Sequence, residues 1–328
     1  MWGNSLGWSL SVLVVALAAG WMYLISSGTN ATPATTFSRD PRHFMALTLP
    51  EPPPAAKLPP PTDDRDAGEL YRQAIERLEA DRITYEDFAA RGTLASSAAA
   101  KLDAIDLLVQ ATPCAKMNLF AAHPQQIVNY DHDKPPLEAL RMLGKVCVDR
   151  LGLLKQRAGD NDGASELFHA GFALGEKLAR ERITVEELRI GLELMSKSAA
   201  AMAGAAGRAG ENDRAASLKE FTSELAAFTR EQVDPIARVT HTIDPRIVGE
   251  QTGDVFELAR RSQERMWRVE AILQLGRVRY LAGQGGTSGN QRAATAFTTK
   301  VAAEDPDPVV RCAASAARDL TAGQHRMQ

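Results

Sequence analysis

The chain has 328 residues, 45% hydrophobic and 24% charged, with 38 Lys plus Arg against 41 Asp plus Glu and a net charge of −3. That balance excludes a chain-wide basic footprint for nucleic acid, and three Cys exclude a disulfide-built scaffold. Aromatics make up only 6% while Ala is abundant, which favours helices over sheets.

The first element is an apolar run, Leu6–Ile25, flanked by Trp2, Trp8, Trp21 and Tyr23. No Asp, Glu, Lys or Arg precedes Arg39. About 20 apolar residues at 1.5 Å each match the hydrocarbon core of a bilayer, roughly 30 Å thick. Trp at both ends suits the two interfaces. A cleaved signal peptide is the alternative, with Ala16-Leu17-Ala18 as a small-residue site. Against it, the run continues through Trp21–Ile25 and no Lys or Arg comes before it. The expectation is an uncleaved single-pass anchor in a bacterial inner membrane. Arg39 and Arg42 lie too far from Ile25 to fix orientation firmly. The soluble part is expected outside the cytoplasm.

A polar spacer follows, without helical or strand period. Pro50–Pro61 holds seven of the 17 prolines, which favours polyproline II at about 3.1 Å per residue. A PxxP ligand for an aromatic groove is the other reading. Asn30-Ala31-Thr32 matches a glycosylation sequon, a weak signal when single.

From Asp66 onward, Ala, Leu, Glu and Arg dominate, and apolar residues recur at helical spacing (Leu70, Ile75, Leu78; Leu102, Ile105, Leu108, Val109). The pattern predicts helices over 66–80, 84–111, 136–157, 162–180, 184–209, 212–232, 254–281, 290–303 and 307–321. Thr84 and Thr184 read as N-caps, each with acidic residues in the following turn. No segment alternates with period two, so no sheet is expected.

The body also echoes itself. Ala67-Gly-Glu-Leu-Tyr71 resembles Ala164-Ser-Glu-Leu-Phe168, and Arg82-Ile-Thr-Tyr-Glu86 resembles Arg182-Ile-Thr-Val-Glu186. Ser97-Ala-Ala-Ala100 and Ser198-Ala-Ala-Ala201 continue the series. A duplicated pair of helices is expected. Leu151-Gly152, Gly159, Ala164, Phe168 and Gly171 fall at the small and apolar positions of a tetratricopeptide repeat, which this segment resembles. Small residues there let helices approach, and Phe168 fills the space between them. Lys155 and Glu176 depart from that motif's Tyr and Pro. Further on, Arg268-Val-Glu-Ala271 echoes Arg311-Cys-Ala-Ala314 at an offset of 43, within the period of about 40–47 residues of HEAT repeats. Asp305-Pro-Asp-Pro-Val-Val-Arg311 is similar to that family's helix start, with Asp as cap and Pro in the first turn.

These resemblances imply an all-α fold: antiparallel helix pairs in an α-solenoid, preceded by one transmembrane helix and a Pro-rich linker. The expected divisions are an anchor over 1–25, a linker over 26–65, a tetratricopeptide-like domain over 66–250 and HEAT-like pairs over 251–328. The chain is also similar to membrane-anchored bacterial envelope proteins with helical repeats. That likeness implies no activity.

The densest polar cluster is Tyr130-Asp131-His132-Asp133, in an expected loop over 112–136 that also holds His123. His123, Asp131, His132 and Asp133 are weak candidates for a metal-dependent hydrolase, since two carboxylates and two imidazoles suit a divalent ion. No His-x-x-x-His or Cys-x-x-Cys spacing completes a ligand set, so no cofactor is expected. Cys147 and Cys312 read as buried free thiols. Cys114 and Cys147 would pair only in an oxidising compartment. Gly283–Gly289 with Arg292 lacks the strand and Lys of a phosphate loop and reads as a connector. Residues 255–328 carry eleven Lys/Arg and seven Asp/Glu, so they are +4 and the remainder −7. Tyr130, Arg260, Arg261 and Arg268 are therefore candidate partner contacts. Tyr71, Leu151, Gly152, Gly159, Ala164, Phe168, Gly171, Arg311 and Ala314 are expected packing residues. The functional expectation is a membrane-tethered scaffold that binds a protein partner, without catalysis. Self-association through helix stacking is the third reading.

Overall fold

A computed structural model describes residues 62–80, 103–119, 136–234, 264–282 and 288–319. The expected anchor at 6–25 and almost all of the linker lie outside these residues, as does the 84–102 part of the helix expected over 84–111. Among the described residues no helix is long and apolar enough to cross a membrane. The chain divides into units 1–39 and 40–328, and every described residue belongs to the second.

The described part is 85% helical. In chain order it runs β1 (Asp63–Asp66), α1 (Gly68–Ala80), α2 (Asp103–Ala111) and β2 (Cys114–Lys116). Then α3 (Pro136–Lys145) passes through a π-helical stretch (Val146–Gly152) into α4 (Leu153–Arg157). Next come α5 (Asn161–Glu181), α6 (Val185–Arg208) and α7 (Asn212–Phe228), which ends in a π turn (Thr229–Val233). Last are α8 (Arg265–Ala282), α9 (Ser288–Glu304) and α10 (Pro308–Asp319).

The expected absence of sheet is corrected in one place. β1 and β2 pair in parallel, Asp63 with Cys114 and Asp66 with Lys116. Asp-Asp-Arg-Asp shows no apolar alternation because this pairing is held by main-chain groups. The Asp63 and Ala67 N–H groups donate to the Pro113 and Lys116 carbonyls at 3.0 and 2.8 Å. Asp66 then caps α1: one carboxylate oxygen accepts from the Gly68 and Asn118 N–H groups at 2.8 and 3.0 Å.

The helices form for local reasons and are retained by one-sided burial. In α1 the buried face is Tyr71, Ala74, Ile75 and Leu78; in α2 it is Ala104, Ile105, Leu108 and Ala111. These two faces meet, and α2 also packs on α5. The central helix α5 buries twelve of its residues, including Phe168, Leu174 and Leu178. It packs on α6 and, elsewhere, on α3 and the π stretch. The starts of α5 and α6 are capped by Asp160, accepting from Gly163 N–H at 2.9 Å, and by Thr184, accepting from Glu187 N–H at 3.1 Å. Turns of three residues precede α5 and α7, and each uses a glycine at positive φ, Gly159 (+85°) and Gly210 (+80°). Such short connections make successive helices antiparallel. The cap at Thr184 gives a direct check. Thr184→Ala lowers stability by about 1 kcal/mol, read as a shift of the urea midpoint with unchanged slope.

α8, α9 and α10 pack together around Trp267, Val269, Ile272, Val310, Ala313, Ala314 and Ala317. The Asp-Pro-Asp-Pro segment behaves as its residues suggest. Asp307 accepts from the Val309 N–H at 2.9 Å and bonds the Arg265 guanidinium at 2.8 Å. Burial pushes the Asp307 carboxyl up, but Arg265 and the helix-start N–H groups outweigh it and hold it below the usual range.

Candidate functional site

One concavity among the described residues follows from the spacing on α6. Glu186, Arg189, Ile190, Glu193 and Ser196 recur every three or four residues and so share one face. With Arg141 of α3, Leu225 and Ala226 of α7 and Thr229, Arg230 and Asp234 beyond it, they line a groove of about 650 Å³. Ile190 and Leu225 are buried at its base, while the Arg189 side chain is 42% exposed at its rim.

The groove's charges are already paired. Arg141 reaches Glu193 at 2.9 Å and Glu138 at 3.2 Å, and Lys145 reaches the other Glu193 oxygen at 2.9 Å. Arg189 lies 3.4 Å from Glu186 and 4.0 Å from Asp234. Burial alone would push the Glu193 carboxyl up, but Lys145 and Arg141 reverse this and hold it low. Each of these pairs is partly exposed and worth little on its own. An incoming charged segment can therefore exchange with them at small cost.

A second, smaller hollow of about 280 Å³ lies between the start of α5 and the end of α6, lined by Ser165, Phe168, Met202, Arg208 and Arg214 among others. His169 borders this region. Its Nδ1 stands 3.5 Å from Ser165 Oγ, and burial and Arg214 push the imidazole down. At that distance the contact is a weak one.

Lys177 is the main titratable group that the sequence did not single out. It is 5% exposed on α5, and its Nζ donates to the Thr112 carbonyl at 3.3 Å. Burial pushes its amine down to about 8. Near it, burial pushes the Tyr71 hydroxyl up, with the Cys114, Cys147 and Glu176 charges adding to the effect. An amine near 8 has the basicity of a catalytic lysine, but this one is sealed within the core and ties α5 to the end of α2.

Cys114 and Cys147 are buried free thiols, and Cys312 is half-buried. Burial pushes Cys147 up to about 12, so it is an inert core group.

Of the expected packing residues, Leu151, Gly152, Ala164, Phe168, Gly171, Tyr71 and Ala314 are buried, and Arg311 is half-buried. A Cβ on Gly152 would fall 2.3 Å from Phe168 Cε1, and one on Gly171 would fall 2.7 Å from Val148 Cγ2. Phe168 therefore fills the space over Gly152. Gly159 sits in the turn before α5. Arg268 is drawn inward, its side chain 16% exposed and paired with Asp305. Arg311 donates to the Asp305 carbonyl at 2.6 Å. His123, Tyr130, Asp131, His132, Asp133, Arg260 and Arg261 lie outside the described residues. Among the described residues no group of three or more His, Cys, Asp or Glu could hold a metal ion. Ser288 and Gly289, expected in the connector, open α9.

Comparison of the chain with protein-family models, with curated proteins and with solved structures finds no match.

Proposed function

We propose that the chain is a membrane-anchored helical-repeat scaffold, and that the groove along α6 receives an extended segment of a protein partner. Residues 6–25 supply the anchor in a bacterial inner membrane, and the Pro-rich linker holds the helical part away from the bilayer on its outer side. The helix pairs are of tetratricopeptide and HEAT kind. The observation that supports this reading best is the α6 groove: buried aliphatic residues at its base, charged side chains on both rims, and ion pairs that can be exchanged. Helical repeats use such concave faces for protein segments. A binding role is proposed in place of catalysis.

The test uses the full chain in its membrane. A photoreactive residue placed at Ser196 or Thr229, both groove-lining, gives the same crosslinked partner. The same residue at Lys219, on the exposed side of α7, does not. Arg189→Glu reduces that adduct about tenfold, the equivalent of about 1.4 kcal/mol. Equal yields from Lys219, or an adduct indifferent to Arg189→Glu, would remove the groove from the binding site.

A further inference from the structure

The joint between α4 and α5 recurs, almost residue for residue, between α6 and α7. Arg157-Ala-Gly-Asp-Asn-Asp162 is matched at an offset of 51 by Arg208-Ala-Gly-Glu-Asn-Asp213. The backbone repeats as well. Gly159 and Gly210 take φ of +85° and +80°. The Asp160 and Glu211 N–H groups donate to the Lys155 and Ala206 carbonyls, both at 2.9 Å. The Asn161 and Asn212 N–H groups donate to the Gly159 and Gly210 carbonyls, both at 3.0 Å. In the helices that follow, Ala164 matches Ala215, Leu167 matches Leu218 and Leu174 matches Leu225, all of them buried. One helix–turn–helix device is therefore built twice.

The hollow of about 280 Å³ lies where the two copies meet. The first copy contributes Asp162 and Ser165, and the second contributes Arg208, Glu211 and Arg214. Phe168, Met202 and Ala206, all buried, give it an apolar lining. The hollow shares no lining residue with the α6 groove.

Four charged side chains line it, two of each sign. Glu211 and Arg214 pair with each other at 3.0 Å. Among the described residues Asp162 and Arg208 form no ion pair. Arg208 bonds an uncharged group instead, its Nη2 donating to Gln156 Oε1. Each charge suits its own helix end, Asp162 in the first turn of α5 and Arg208 in the last turn of α6. Placing the copies side by side sets the two around one hollow. Their counterparts Arg157 and Asp213 do not line it, so one free charge comes from each copy and the site requires both.

We propose that the hollow between the two joints binds a small zwitterion with an apolar side chain, of the chemical class of an aliphatic amino acid. Its carboxylate takes the Arg208 guanidinium from Gln156, replacing a neutral acceptor by a charged one that makes the stronger hydrogen bond. Its ammonium goes to Asp162, and its side chain leaves water against Phe168 and Met202. Ser165 Oγ, which has only the weak contact to His169 Nδ1 at 3.5 Å, is left to bond either polar end. A volume of about 280 Å³ is at the small end of ligand sites and suits one residue, not an extended segment. The end of a chain shares part of this chemistry, with one charge and one side chain, and engages only one of the two charged groups. The ligand bridges the two copies and so stabilises their packing, independently of what the α6 groove binds.

The experiment titrates the full chain in detergent, by calorimetry, with L-leucine, N-acetyl-L-leucine and L-leucinamide. N-acetyl-L-leucine keeps the carboxylate and side chain of a chain's last residue, and L-leucinamide keeps the ammonium and side chain of its first. L-leucine binds, and each analogue binds at least about tenfold more weakly, since each forfeits one charge-assisted contact. Arg208→Gln weakens L-leucine and N-acetyl-L-leucine by about tenfold and leaves L-leucinamide unchanged. Asp162→Asn weakens L-leucine and L-leucinamide to the same degree and leaves N-acetyl-L-leucine unchanged. Both side chains are exposed, so both variants fold, which an unchanged urea midpoint verifies. Arg189→Glu, in the α6 groove, leaves all three affinities as they were, so failure of one site is distinct from failure of the other. An analogue that binds as tightly as L-leucine assigns the hollow to the end of a chain and overturns the zwitterion. Absence of L-leucine binding at millimolar concentration overturns the site, as does a loss in either variant that ignores which charge the ligand carries.

Discussion

Gly191→Ala destabilises the protein by about 3 kcal/mol, although Ala is the better helix former by about 1 kcal/mol. A methyl at this position would sit 2.6 Å from the Ala179 N, 2.7 Å from the Gly175 O and 3.1 Å from the Ala179 Cα. All three are backbone atoms of α5. None can rotate away as a side chain would, so the two helices must separate. Gly175 meets the reverse situation, with its added Cβ 2.7 Å from the Gly191 O and 2.8 Å from the Met195 N. At this crossing α5 and α6 touch backbone to backbone. Moving them apart strips contact from Leu174, Leu178, Leu188 and Leu194 at once, each buried nearly completely. Gly204→Ala on the same helix is the control. Its Cβ would meet only the Arg208 guanidinium, at 3.5 Å, so the propensity gain survives and stability rises by up to about 1 kcal/mol. Opposite shifts of the urea midpoint are expected. Shifts of the same sign would show that the crossing is looser than described.

That crossing also shows what the sequence makes legible. Helix positions can be read because each obeys a local rule. The apolar period sets the buried stripe, and Thr184 and Asp307 cap where short polar residues precede a helical run. The close approach of α5 and α6 is visible in the small residues Gly171, Gly175 and Ala179, spaced by four. The β1–β2 pair is not visible, because its residues contribute backbone and their side chains are polar. Glu187 is harder still. In Thr184-Val-Glu-Glu187 it looks like an ordinary first-turn acid, favoured by the helix dipole. It is nonetheless wholly buried, in a turn that Glu270 caps at Val185 from 85 residues away. Arg268 shows the same dependence: its sequence offers it as a partner contact, and Asp305 draws it inward across 37 residues. The groove follows this rule too. Its α6 face has a period, but its other wall is brought by Arg141 and Leu225 from separate helices. Groups defined by distant partners cannot be found from spacing alone.

The second large effect is expected where the π stretch meets α5. Phe168→Ala costs about 4 kcal/mol, the usual range for a buried Phe, since its ring is fully buried between the two. The ring lies over Gly152 because the π-helical turn brings that residue's bare Cα towards α5. A Cβ there would stand 2.3 Å from Phe168 Cε1 and 2.8 Å from Cδ1. Gly152→Ala therefore displaces the ring and costs about 2 kcal/mol by overpacking. The two changes are coupled, and the double variant separates the causes. Once the ring is gone, the methyl added by Gly152→Ala lies partly in the space it vacated. The double variant then loses less than the sum of the singles, by about 1–2 kcal/mol, a typical coupling for residues in contact. Coupling is incomplete because the same Cβ would still lie 2.7 Å from the Cys147 carbonyl oxygen. That oxygen is backbone and stays when Phe168 is removed. Additive losses in chemical denaturation would mean that Gly152 is required by the π turn itself and not by the ring above it.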